Sequence, residues 1–229
     1  MYVTAANVTI DCQGHLIDGV DIISETYGVY SDQFNTTIKN CIFTDWNNPI
    51  VWYNIGDSEG SISNVTFSGT QNGIFLYDVN NVMVENITAY SNDIALAYVG
   101  NNITLKDSKV YNNIYGMNIN GINGGSVFNN FFNNSVNVIR ITGNNFWNTT
   151  NQSGTRIYGN GTQIGGNYWG NPTLTGYSDT CNDTNNDSFC DEPYDALNGV
   201  SCTAGVNCSS NTDYLPLTGA IQHHSSILS

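Results

Sequence analysis

The sequence predicts an all-β fold: a parallel β-helix with about 21 to 24 residues per coil and a loop-rich C-terminal cap. Three observations carry this expectation. Ile74-Phe75-Leu76-Tyr77 aligns with Ala95-Leu96-Ala97-Tyr98, and Asn81-Val82 with Asn102-Ile103, at an offset of 21 residues. Within each repeat, short apolar alternations are separated by Asn, Gly or Asp, which suits strands joined by tight bends and leaves no room for a helix of normal length. Asn40, Asn64, Asn86, Asp107 and Asn129 recur at intervals of 21 to 24 residues. Asn tolerates the left-handed bend, and stacked side-chain amides bond along the axis, so this column reads as an asparagine ladder. A single coil cannot bury its apolar side, but stacked coils supply one another's core and backbone partners.

The first coil is read over Asn7 to Gly19, with Val8, Ile10, Cys12, Leu16 and Val20 as inward candidates and bends at Gly14 and Gly19. The second starts at Tyr27-Gly28-Val29 and carries Thr36 to Phe43, with Ile38 and either Cys41 or Ile42 inside. Trp46 to Trp52, broken by Asn47-Asn48-Pro49, reads as a bulged loop. Ser61 to Phe67 opens the third coil, and the two model coils follow. The cycle restarts at Tyr115 to Ile119, and Ser126 to Phe131 and Val138 to Ile141 extend it. This gives coils over residues 1–155, a cap over 156–217 and a flexible tail over 218–229.

Charged residues make up only 10% of the chain, against roughly 25% in an average soluble domain. The formal charge of −14 therefore arises from a scarcity of bases: Lys39, Lys106, Lys109, Arg140 and Arg156 are all there are. So few cations exclude nucleic acid and disfavour anionic membranes as partners. No apolar run is long enough to span a bilayer. Met1-Tyr2-Val3 runs straight into coil-like sequence, so the expectation is a mature or trimmed form of a secreted precursor.

Six cysteines fall in suggestive places. Cys12 and Cys41 occupy similar points of the first two coils, and Cys181, Cys190, Cys202 and Cys208 lie in the cap. An even count with local neighbours favours an oxidising compartment, although spacing does not prove the pairing. Asn-x-Ser/Thr acceptors occur at Asn7, Asn35, Asn64, Asn86, Asn102, Asn133, Asn148, Asn151, Asn160, Asn182, Asn186 and Asn207. They are expected to carry glycans at some sites, although Asn at a bend followed by Thr in a strand is also good solenoid chemistry.

The end of the chain carries Gly165-Gly166-Asn167-Tyr168-Trp169, then Asp191-Glu192-Pro193-Tyr194, then Asp213-Tyr214-Leu215-Pro216-Leu217. With the coils, these segments resemble the right-handed parallel β-helices of the NosD-like, or CASH-domain, family of secreted carbohydrate-binding and sugar-hydrolase proteins, and many archaeal surface proteins look similar. The resemblance covers nearly the whole chain. It implies the hand of the coil and an extracellular or cell-surface location, and its motifs are more specific for fold than for activity.

Several sites follow as expectations. Asp183, Asn185, Asp187, Phe189 and Asp191 have the alternate spacing of the front half of a calcium loop, with Ser188 in place of the turn glycine and Tyr194 in place of the closing glutamate. A structural calcium ion, a Cys181–Cys190 bridge, or both, would hold that loop. For catalysis, hydrolysis needs two facing carboxylates and a metal-assisted lyase needs an acidic cluster with a base. Arg140 has Ile119 and Tyr98 as its upstream neighbours, and no Asp-Asp pair exists, so the sequence leans away from an enzyme. The family name suggests copper, but His15, His223 and His224 with Met1, Met83 and Met117 form no evident set. Tyr30, Trp52, Tyr77 and Tyr98 form the candidate carbohydrate-binding column, with Asn118 and Asn120 nearby. The expected function is a non-catalytic structural or adhesive protein whose uncapped first coil meets another copy, as a homo-oligomer or a head-to-tail stack that would build a fibre, or an upstream domain, with a carbohydrate-binding module as the alternative.

Overall fold

The computed structural model describes residues 1–20, 25–53, 56, 58–120, 123–159, 161–195 and 211–219. The rod contains β1 (Tyr2–Val3), β2 (Thr9–Asp11), β3 (Leu16–Asp18), β4 (Tyr27–Ser31), β5 (Thr36–Thr44), β6 (Asn48–Tyr53), β7 (Gly60–Ser68), β8 (Asn72–Asn80), β9 (Val82–Tyr90) and β10 (Ile94–Asn101). It continues through β11 (Thr104–Lys106), β12 (Lys109–Tyr111), β13 (Tyr115–Ile119), β14 (Ser126–Phe128), β15 (Phe131–Asn133) and β16 (Val136–Ile141). The hairpin β17 (Gln152–Ser153) and β18 (Gln163–Ile164), β19 (Tyr168–Gly170) and the single-turn α1 (Tyr177–Thr180) follow.

The chain alternates between two parallel sheets. A seven-stranded sheet runs β1-β4-β6-β8-β10-β13-β16, and a ten-stranded sheet has the path β2-β5-β7-β9-β12-β15-β19 with β3, β11 and β14 beside it. The protein is thus a parallel β-solenoid, as the repeat requires. Inward columns fill it: Val29, Ile50, Ile74, Leu96, Met117 and Val138 descend one sheet. Phe43, Phe67, Ala89, Val110, Phe132 and Trp169 descend the other. Residues two rungs apart in this core touch only through the rung between them, so stability is carried from neighbour to neighbour.

The asparagine column forms as expected. Asn40, Asn64, Asn86, Asp107 and Asn129 all adopt φ between 51° and 55°. Asn40 donates to Asp11 at 2.9 Å, Asn64 to Asn40 at 3.1 Å, Asn86 to Asn64 at 2.5 Å and Asn129 to Asp107 at 2.6 Å. The bond from Asn40 is the chief reason the Asp11 carboxyl titrates below its ordinary range.

Two further ladders run inside the rod, and the sequence reading missed both. In one, Thr70 bonds Asn92, Asn92 bonds Asn113, and Asn113 bonds Asn134, each link using both the backbone N–H and the side chain at 2.8–3.1 Å. In the other, Ser108 N–H donates to Asn130, and Asn130 donates twice to Asn167. These residues are buried. Asn113, Asn130, Asn134 and Asn167 each also donate to a carbonyl of a neighbouring coil, at Ala89, Leu105, Val110 and Val127. Unpaired, such a buried amide would cost about 1–3 kcal/mol.

Three local expectations are corrected. Trp46 to Trp52 is not a loop: β6 begins at Asn48, and Pro49 is accommodated opposite Gly28, where even a Cβ would lie 2.6 Å from the Pro49 carbonyl. Leu16 and Val20 are 54% and 70% exposed, while Ile17 packs against the core. The 21-residue alignment of the model coils is also one residue off along most of the strand. Ile74 pairs with Leu96 and Leu76 with Tyr98, and the offset returns to 21 only after the bulge, where Val79 pairs with Gly100.

Candidate functional site: the outer aromatic face

The two outer faces differ in chemistry. The strands of the ten-stranded sheet carry Asp11, Asp18, Lys39, Glu85, Lys106 and Lys109, with ion pairs Lys39–Asp11 at 3.5 Å and Lys106–Glu85 at 2.8 Å. The hydrogen bond it donates to Glu85 is the chief reason Lys106 holds its proton above the ordinary lysine range. On the seven-stranded sheet only Asp78, at the β8 bulge, and Arg140 on β16 are charged.

What the seven-stranded sheet turns outward is aromatic. The register aligns Tyr2, Tyr30, Val51, Phe75 and Ala97 in one column, Tyr27, Asn48 and Ile94 with Asn72 in a second, and Tyr53, Tyr77 and Val99 in a third. Tyr53 and Tyr77 stack in parallel, with centroids 4.9 Å apart and planes inclined by 3°. Tyr30 instead tilts against Tyr2 at 47° and Tyr27 at 49°, with centroids 5.5 and 5.7 Å apart. Between these rings lies an open hollow of about 300 Å³ lined by Tyr27, Tyr30, Asn48, Val51, Tyr53, Asn72 and Phe75. Partial burial pushes the Tyr30 hydroxyl above its ordinary pKa, and the charge of Asp32 adds to this.

The predicted carbohydrate column divides between the two sides of the sheet. Tyr30 and Tyr77 point outward, whereas Trp52 is fully buried and Tyr98 is 2% exposed. Trp52 pairs with Leu76, and Leu76 with Tyr98, in an inward column, so neither ring reaches a ligand on the flank. Asn118 is in register with Arg140 on the outer face, farther along the sheet. Tyr27, Tyr53 and Phe75 were the residues missed, although their alternation with inward neighbours was available in the sequence once the register is right.

The cysteines pair as Cys12–Cys41 and Cys181–Cys190, while Cys202 and Cys208 lie outside the described residues. Among the acceptor asparagines, Asn35, Asn64, Asn86 and Asn102 spend a side-chain N–H on the neighbouring coil, at Asn7, Asn40, Asn64 and Asn81. Asn148 accepts from Tyr214 N–H, and Asn133 is half-buried. Asn151, Asn182 and Asn186 are exposed, and Asn160 and Asn207 lie outside the described residues.

The acidic loop turns its oxygens onto its own backbone. Asp183 accepts from the N–H groups of Asp187 and Ser188, Asn185 from Asp187, Asp187 from Phe189, and Asp191 from Thr184. Ser188 takes the left-handed turn at φ 70° without being glycine. Arg156 lies on its inner side, donating to the Ser188 carbonyl with its guanidinium 4.5 Å above the Phe189 ring. Burial lowers the Arg156 pKa, and the charges of Asp187 and Asp183 oppose that shift. Among the described residues no three His, Cys, Asp or Glu side chains gather as a metal centre.

Neither the curated proteins nor the solved structures include a match to this chain. A family model described as periplasmic copper-binding protein (NosD) matches residues 2–174. Copper finds no fitting donor set among the described residues. Met117 is buried in the rod, Met1 and Met83 are exposed at separate places, His15 lies at a turn of the first coil, and the four described cysteines are in disulfides. His223 and His224 lie outside the described residues. No helix of the described residues is long and apolar enough to cross a membrane. The solenoid and its two disulfides fit a periplasmic or extracellular protein, and the matched span takes in the whole rod: the chain belongs to the NosD family.

Proposed function

We propose that this protein is a non-catalytic adhesive scaffold of the cell exterior, working through the outer face of its seven-stranded sheet. The observation that carries this reading is the asymmetry of the flanks. One face carries six of the eight charged strand residues, four of them in the Lys39–Asp11 and Lys106–Glu85 pairs, and the other gathers Tyr2, Tyr27, Tyr30, Tyr53, Phe75 and Tyr77 with only Asp78 and Arg140 charged. A contiguous exposed aromatic patch of this kind marks a contact surface. The carbohydrate-binding reading belongs to the same face, since Asn48 and Asn72 bring amides beside the rings.

N-glycosylation is proposed at Asn151 and Asn182, which are exposed and stand away from the ladders. Self-contact is proposed through the first coil, where Tyr2 and Leu16 are exposed. Residues 211–219 lie across the other end, with Asn211 accepting from Asn145 and Trp147. A homo-oligomer closed at the first coil or a head-to-tail stack would each use it.

The test is co-sedimentation of the purified chain with cell-envelope fragments. The triple substitution Tyr30→Ser, Tyr53→Ser, Phe75→Ser is expected to abolish retention, while Thr66→Ala with Thr88→Ala on the polar flank leaves it intact. Equal retention of both variants would remove the outer face as the working surface.

A further inference from the structure

We propose that the hollow on the outer face binds a quaternary ammonium group. The inference rests on that face being the working surface and names what it holds. The sheet register builds a cage. Val51, short and nearly covered, forms the floor, with Tyr30 on the preceding strand and Phe75 on the following one. Tyr53 stands two residues farther along β6, and Tyr27 lies beside Tyr30. A small aliphatic residue ringed by four large aromatic ones leaves a hollow where a flat sheet face would otherwise continue.

The electrostatics select the charge of the occupant. Ring faces are negative and attract cations, the chain carries a formal charge of −14, and Asp32 lies close enough to act on Tyr30. The side-chain cations are elsewhere: Lys39, Lys106 and Lys109 are on the opposite sheet, Arg156 is buried against the acidic loop, and Arg140 stands three strands beyond Phe75. Among the described residues the one cation near the cage, the Met1 ammonium, is held at its edge on the Gly28 carbonyl at 2.6 Å.

The lining selects the kind of cation. A metal ion or a primary ammonium seeks carboxylate or carbonyl oxygens, and among the described residues no carboxylate lines this hollow. The hydrogen-bonding groups of the lining, the amides of Asn48 and Asn72 and the hydroxyls of Tyr27, Tyr30 and Tyr53, also suit the sugar of the carbohydrate-binding reading; charge separates the two, since a neutral sugar gains nothing from the attraction of ring faces for a cation. A methylated ammonium needs no hydrogen-bonding partner, because it has no N–H to satisfy and offers methyl groups to ring faces and to Val51.

The experiment is a titration of the full chain with choline and with its neutral isostere 3,3-dimethylbutan-1-ol, read by tyrosine fluorescence and saturation-transfer NMR. Choline is expected to bind with ring contacts, and the isostere about tenfold or more weaker, the loss expected when the cation–π attraction is removed. Tyr30→Leu and Tyr53→Leu, both outward substitutions, are expected to weaken choline to the level of the isostere while the melting temperature moves by no more than about 2–4 °C. Co-sedimentation with phosphatidylcholine and with phosphatidylglycerol vesicles separates a lipid headgroup from a free solute. Retention on the former alone assigns the lipid source, and choline binding without retention assigns the solute. Equal binding of the isostere, no choline binding, or indifference to both substitutions would overturn the inference. If choline fails while the triple substitution still abolishes envelope retention, the ammonium ligand is wrong and the adhesive face stands; if both fail, the face itself is wrong.

Discussion

Trp169 donates its indole N–H to the Asp213 carboxylate at 2.9 Å, and the same oxygen accepts the Asn167 backbone N–H at 2.8 Å. Asp213 is fully buried, and Leu215 N–H reaches its other oxygen at 3.1 Å. One inner ladder, passing from Ser108 through Asn130 to Asn167, therefore ends on this carboxylate. Gly166 lets the segment in: a Cβ there would lie 1.9 Å from Asp213.

Replacing Asp213 by Leu strands several buried donors, so urea unfolding should show a loss of about 3 kcal/mol or more. Trp169→Phe removes one donor and keeps most of the ring, and should cost about 1–2 kcal/mol. Equal small losses for both would mean that the carboxylate is not what closes the rod.

Burial pushes the Asp213 carboxyl from its ordinary value of 3.8 up to about 7, while its hydrogen-bond donors pull the other way. The folded protein then keeps this proton to higher pH than the unfolded chain does. The resulting stabilisation is complete below the unfolded value and is lost as pH rises through about 7. Melting temperature should fall between about pH 4 and pH 7 in the wild type and level off above that. In Asp213→Asn that fall should be largely absent, which circular dichroism melts across the range will check.

Asn113 and Asn64 are both ladder asparagines, one buried and one exposed. Asn113 serves Asn92, Asn134, Ala89 and Tyr111 together. Asn113→Ala should cost about 3 kcal/mol, because it strands buried partners, and Asn64→Ala under about 1 kcal/mol, because water replaces its bond. Similar losses in chemical denaturation would mean that the inner ladder contributes no more than the outer one.

The coil length and the outer ladder were legible because the left-handed bend restricts residue choice: Asn40, Asn64, Asn86 and Asn129 announce themselves. The inner ladders were not, because Asn92 and Asn113 look in sequence like any bend asparagine and only the stacked carbonyls show that they are buried. The aromatic face was half legible. A frame fixed at 21 residues places Tyr98 under Tyr77, but the structure pairs Tyr98 with Leu76 and absorbs the difference at Asp78. A slip of one residue exchanges the two faces of a strand, so the core ring of Tyr98 was read as a surface one.

Trp52 and Tyr53 are adjacent on β6 and belong to opposite worlds: Trp52 is 0% exposed and Tyr53 is 39% exposed. Trp52 fills the rod between Ser31 and Leu76, and a Cβ on Gly60 would lie 2.6 Å from its ring. Trp52→Ala should therefore cost about 3–5 kcal/mol through the cavity it leaves. Tyr53→Ala gives up its stacking on Tyr77 and some partly buried area, about 1 kcal/mol, yet it should remove binding at the outer face. Paired urea titrations and ligand titrations of the two variants separate these roles. A Trp52→Ala protein as stable as Tyr53→Ala would show that the face assignment of β6, and with it the cage around Val51, is reversed.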